Sequence, residues 1–134
     1  MSADTKVLIA SDRDIVTARQ QGRAVALAAG FSVSEATLIA TAISELARNI
    51  VSYANHGSIT LRRTNGASGM RGLTIVATDS GPGIADIAQA LRDGYSSSGG
   101  LGLGLPGVRR LMDEFDIDSH AGSGTTVTVT KWRL

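Results

Sequence analysis

The strongest constraint on the fold is an unbroken double row of apolar and small residues, Leu38, Ile39, Ala42, Ile43, Leu46, Ala47, Ile50, Val51 and Ala54. Only an α-helix gathers residues spaced three and four apart onto one side, so the row predicts a helix beginning near Ser34-Glu35 with this stripe towards the core. The same geometry sends Thr41, Glu45, Arg48, Asn49 and Ser52 towards the opposite side. An earlier helix is predicted from Ser11-Asp12 to a stop at Gly30, because Ile15, Val16, Ala18, Gly22, Val25 and Ala26 recur at helical steps.

The rest of the chain reads mainly as strands. Residues 6–10 form a short apolar run, and residues 57–63 and 72–79 alternate with period two on either side of a polar loop at 64–69, the pattern of an antiparallel pair. Residues 85–92 fit a short helix and residues 93–104 a Gly/Ser/Leu loop. Pro106 suits the first turn of a helix running to Phe115, since its missing N–H costs nothing there. Residues 116–120 and 125–133 give two last strands joined by Gly122-Ser123-Gly124. The expected architecture is α/β, an α+β two-layer sandwich with helices on one face of a mixed, mainly antiparallel sheet. A length of 134 residues suits one such core, so residues 1–134 are expected to form one domain.

Composition narrows the function classes. Thirteen Lys plus Arg against twelve Asp plus Glu leave a net charge of +1, which lacks the electrostatic footprint of nucleic-acid binding. With no cysteine, thiol nucleophiles, thiolate metal sites and disulfides are excluded. The longest weakly apolar stretch, residues 24–31, is far below the about 20 residues of a membrane span, and residues 1–10 have no leader pattern. The reading is therefore a cytoplasmic chain with neither nucleic-acid nor membrane partners.

The chain has 16 glycines, and ten of them fall between Gly81 and Gly124, which points to a site needing bare backbone. Gly102-Leu103-Gly104-Leu105-Pro106-Gly107 matches G-x-G-x-x-G, but a loop rather than a strand precedes it, so a Rossmann reading is poor. A Walker A loop is excluded, because Lys6 and Lys131 are the only lysines. Asp79-Ser80-Gly81-Pro82-Gly83 closes a strand and offers a carboxylate beside glycine backbone. An ionised carboxylate only accepts hydrogen bonds, which matches the exocyclic amine of adenine and not the carbonyl of guanine. By itself the segment equally describes an ordinary strand-to-turn exit.

Glu45 and Asn49 are four residues apart and share one helical face. Asn49 offers a neutral oxygen suited to Mg²⁺, and Glu45 one turn away is placed to take a proton from an attacking hydroxyl. A solvated polar face balanced by Arg48 is the plainer alternative. Residues 99–107 lead into a helix N-terminus, which favours phosphate, or are a connector. Gly122-Ser123-Gly124-Thr125 is either a hairpin turn or presents a hydroxyl to the base.

In this order the four segments resemble the GHKL ATPase superfamily, which includes gyrase and Hsp90 ATPase domains, histidine-kinase catalytic domains and anti-sigma-factor kinases. The resemblance runs from about residue 7 to the C-terminus. Glu45-Leu46-Ala47-Arg48-Asn49 is similar to the N box, residues 79–83 to the first glycine box, residues 99–107 to the second and residues 122–125 to the last. It implies the Bergerat fold, ATP and Mg²⁺ as cofactors, Glu45 as catalytic base, Asn49 as metal ligand and Asp79 as adenine reader. Gly81, Gly83, Gly99, Gly100, Gly102, Leu103, Gly104 and Thr125 would complete the ATP site. The small size, residues 45–50 and residues 96–115 resemble the anti-sigma serine/threonine kinases, and among them the stressosome switch kinases. That resemblance implies phosphorylation of STAS-domain proteins, followed by association with a PP2C-type phosphatase regulator. The alternative is a nucleotide-gated anti-sigma factor that acts by sequestration.

One departure stands out. Residues 93–108 contain no Lys or Arg, where relatives in that branch carry a basic lid residue at the position of Gly100. Phosphoryl transfer recruits cations, so turnover is expected to be slow unless Arg92, Arg109 or a partner supplies one.

Overall fold

Among the described residues three helices and a five-stranded sheet build the core. Helix α2 (Val33–Tyr53) starts on a reciprocal cap, with Ser32 Oγ accepting the Glu35 N–H at 3.1 Å and Glu35 Oε1 accepting the Ser32 N–H at 3.2 Å. Its predicted stripe is the buried one: Ile39, Ala42, Ile43, Leu46, Ala47 and Ile50 are shielded from solvent, whereas Leu38 near the start is exposed. Helix α1 (Asp12–Ala28) begins where Asp14 Oδ2 accepts the N–H groups of Ala10 at 2.8 Å and Ser11 at 3.1 Å. It packs along α2, with Gly22 so close to Ile43 that a side chain there would meet it.

The computed structural model describes residues 4–83, 104–120 and 122–133. Strands β1 (Thr5–Ile9), β2 (Gly57–Asn65), β3 (Arg71–Asp79), β4 (Glu114–His120) and β5 (Gly124–Trp132) form one sheet in the order β1-β2-β3-β5-β4. All four pairings among the described residues are antiparallel, and α1 and α2 cover one face, as expected. Alternation decides which side chains enter the core. Leu73, Ile75 and Ala77 of β3 are buried, while Thr74 and Thr78 point the other way. On that outer face Thr74 Oγ1 lies 2.6 Å from Thr64 Oγ1 and 3.0 Å from Thr130 Oγ1, so β-branched hydroxyl residues pair across strands.

Helix α3 (Gly104–Leu111) packs against α2 and ends four residues before the expected Phe115. The reason is tertiary. Lys131 Nζ donates to the Leu111 carbonyl at 3.1 Å, the Asp113 N–H donates to Thr130 O at 3.0 Å, and Asp113 Oδ2 accepts the Trp132 N–H at 2.7 Å. Those bonds draw the chain onto β5, so Phe115 is a strand residue. The short helix expected at 85–92 and the loop expected at 93–104 lie outside the described residues except for Gly104, which is the first residue of α3 and not loop. Among the described residues no helix is long and apolar enough to cross a membrane.

Candidate nucleotide site

Glu45 and Asn49 lie one turn apart on α2, as their spacing requires. Their surroundings differ from the expectation of a side turned away from the core. Ser44, Glu45, Leu46 and Ala47 are four consecutive buried residues, so α2 is enclosed all round at this level. Glu45 is only 7% exposed. This rules out a freely solvated polar face for Glu45. Asn49 is half-buried, and its Oδ1 is inaccessible to solvent and has no hydrogen-bond partner among the described residues. A buried acceptor left without a donor costs roughly 1–3 kcal/mol, which is offset when a ligand completes it.

The C-terminal end of α2 reaches the end of β3. A Cβ on Gly81 would lie 2.6 Å from the Ala54 Cβ, and a Cβ on Gly57 would meet Thr78 O and come within 3.0 Å of Ile50 Cγ2 and the Asp79 Cβ. Bare backbone is therefore what lets the helix that carries Asn49 touch the corner that carries Asp79. Asp79 Oδ1 accepts the Gly81 N–H at 2.9 Å. This bond fixes the carboxylate through Oδ1. Gly83 follows, and the carbonyl of Pro82 accepts the Gly122 N–H at 2.8 Å, which latches the β4–β5 turn onto this segment.

Thr125 stands directly opposite Asp79 in the β3–β5 register. Its neighbour Gly124 has φ +93°, and a Cβ there would run into Asp79 O and lie 2.9 Å from Ser80 Cα. The structure thus brings Asp79, Gly81 and Thr125 to one corner and Glu45 and Asn49 to the adjoining helix. Gly104 opens α3, whose first-turn N–H groups have no partners within the helix. Gly99, Gly100, Gly102 and Leu103 lie outside the described residues. Arg109 is exposed in the last turn of α3, five residues beyond Gly104, and Arg92 lies outside the described residues. His120 sits on β4 and His56 in the turn before β2, neither of them on a helix.

Ser119 stands beside this corner and was missed by the sequence reading. It pairs with Thr125 across the β4–β5 hairpin, and its Oγ lies 2.7 Å from Thr125 Oγ1. The signal was available in the hairpin register about the Gly122–Gly124 turn, which puts the inward hydroxyl of one strand opposite that of the other.

Comparison with known proteins shows the family. The model of the histidine kinase-like ATPase domain matches residues 8–131, so the chain belongs to that family, within the GHKL ATPase and kinase superfamily. It is 52% identical over 132 residues to the serine/threonine-protein kinase RsbT of Bacillus subtilis (strain 168), covering 98% of each chain. The chain is a protein serine/threonine kinase closely related to RsbT-type stress kinases. It is also 31% identical to the anti-sigma F factor of Clostridium beijerinckii, over 75% of this chain and 73% of that one. Solved structures share the fold. The RsbU and RsbW domains of a Mycobacterium tuberculosis protein superpose with a TM-score of 0.64 at 22% identity, covering 99% of this chain and 34% of the other. The mycobacterial sensor histidine kinase MprB gives 0.56 at 16% identity, with 99% of each chain covered.

Proposed function

We propose that this cytoplasmic kinase binds Mg²⁺-ATP with its adenine at Asp79 and transfers the γ-phosphoryl group to a Ser or Thr hydroxyl of a STAS-domain partner. The observation that carries the reading is a buried Glu45 one helical turn from Asn49, whose Oδ1 is buried and has no partner among the described residues. Glu45 is the base that takes the proton of the attacking hydroxyl. Asn49 Oδ1 holds the metal, and its chemistry fits: a hard, neutral oxygen is what Mg²⁺ accepts from a protein when phosphates and waters fill the other positions. When bound, the ion neutralises charge on the phosphate oxygens.

Asp79 reads the adenine amine, Gly81 and Gly83 let base and sugar approach the backbone, and Thr125 faces the base. The family motif assigns Gly99, Gly100, Gly102, Leu103 and Gly104 to the phosphates. Without a Lys or Arg between residues 93 and 108, backbone N–H groups and metal carry most of the phosphate charge. Turnover is therefore slow unless Arg92, Arg109 or a partner supplies a cation. After transfer the kinase leaves its STAS-domain substrate and engages a PP2C-type phosphatase regulator.

Asn49→Ala is expected to weaken ATP binding in the presence of Mg²⁺ by roughly ten- to a hundredfold, and to leave binding in excess chelator unchanged. Calorimetric titration in both buffers checks this, and an equal loss in both would remove Asn49 from the metal site. The identity to anti-sigma F factors supports a second reading, sequestration of a sigma factor. A pull-down from the native cell separates the two: recovery of a STAS-domain protein supports the kinase switch, and recovery of a sigma factor supports sequestration.

A further inference from the structure

Ser119 plays no part in the reading above, yet its hydroxyl joins two groups at the base corner. Its Oγ lies 2.7 Å from Thr125 Oγ1 and 3.3 Å from the carbonyl oxygen of Gly124. Ser119 on β4, Thr125 on β5 and Asp79 on β3 are successive register partners, so their side chains share the helix-covered face of the sheet. A carbonyl oxygen only accepts, so the bond to Gly124 uses the single proton of Ser119. The short contact then forms only with Thr125 donating to Ser119. Both contacts coexist in that one arrangement, and it leaves Thr125 Oγ1 facing a ligand with lone pairs alone.

We propose that Ser119 is a positioning residue for nucleobase selection: by holding the Thr125 proton, it makes Thr125 an acceptor beside the acceptor Asp79. Two acceptors side by side match the 6-amino group of adenine and oppose the 6-oxo group of hypoxanthine or guanine. Without Ser119 the Thr125 hydroxyl turns freely and donates to a 6-oxo group. Ser119 thus acts through Thr125 and touches no reacting atom. The inference rests on the assignment of Asp79 to the base.

The test compares Kd for ATP and for inosine triphosphate, which carries a 6-oxo group and no 2-amino group. The parent is expected to prefer ATP. In Ser119→Ala the preference falls roughly three- to tenfold, the worth of one hydrogen bond. Ser119→Thr, which keeps a hydroxyl at the same atom, retains the parental ratio. Should Ser119→Ala not fold, Ser119→Cys keeps the volume with a weak acceptor and is expected to lower the ratio likewise. A ratio in Ser119→Ala within twofold of the parent, or a loss in Ser119→Thr equal to that in Ser119→Ala, overturns the proposal. Asp79→Asn distinguishes the two levels. If it binds ATP as the parent does, the base assignment fails and Ser119 falls with it; if it loses ATP while Ser119→Ala keeps the parental ratio, only the role of Ser119 fails.

Discussion

Glu45→Ala is expected to lower phosphoryl transfer by roughly 10²- to 10⁴-fold, the usual contribution of a positioned general base, and to change ATP affinity by less than about threefold. The asymmetry follows from placement. Glu45 is buried in the middle of α2, whereas the corner proposed for the base, built from Asp79, Gly81 and Thr125, meets the C-terminal end of that helix at Ile50 and Ala54. Removing the carboxylate takes away the proton acceptor and leaves that corner intact. Single-turnover transfer and a nucleotide titration on the same sample measure both quantities. Equal losses in the two would mean that Glu45 supports the pocket rather than the chemistry. Glu45→Gln, which preserves the volume, controls for repacking.

Gly124→Ala is the second large effect. The residue sits at φ +93°, and its Cβ would collide with the carbonyl oxygen of Asp79 and crowd Ser80 Cα at 2.9 Å, both backbone atoms that no rotamer change relieves. Left-handed strain and overpacking together are expected to cost about 3 kcal/mol, or a Tm drop on the order of 10 °C. The start of β5 must also move away from the end of β3. ATP affinity is therefore expected to fall by more than roughly tenfold, because Thr125 and Asp79 lose register. Gly122, two residues earlier in the same turn, makes the contrast: its φ is +80° but nothing lies within 4 Å of a Cβ there. Gly122→Ala should cost only the backbone strain, about 1 kcal/mol, with ATP affinity kept. Thermal melts and titrations of the two variants side by side check the argument, and matching losses would contradict it.

Much of this architecture was legible from local pattern. The period of Ile39, Ala42, Ile43, Leu46 and Ile50 reports burial directly, and alternation along β3 separates Leu73 and Ile75 from Thr74, because each property repeats at the pitch of its element. Asp79 beside Gly81 was legible as a carboxylate on bare backbone, whereas the approach of Gly124 to Asp79 came only with the β3–β5 pairing. What pattern could not carry was long-range contact. The end of α3 at Leu111 depends on Lys131 and Thr130, some twenty residues further on. The burial of Glu45 depends on what packs around α2, which local pattern does not show, so a residue turned away from the stripe is nevertheless enclosed. Ser119 was missed for a related reason, because its meaning lies in the residue paired with it across the hairpin.

A kinase of this kind moves the γ-phosphoryl group of ATP to a partner hydroxyl, so incubation with γ-labelled ATP, Mg²⁺ and a STAS-domain protein is the decisive measurement. Label is expected on a Ser or Thr of the STAS-domain protein and is expected to depend on Glu45. An unlabelled STAS-domain protein, with ATP binding intact in the same sample, would overturn the proposed phosphoryl transfer.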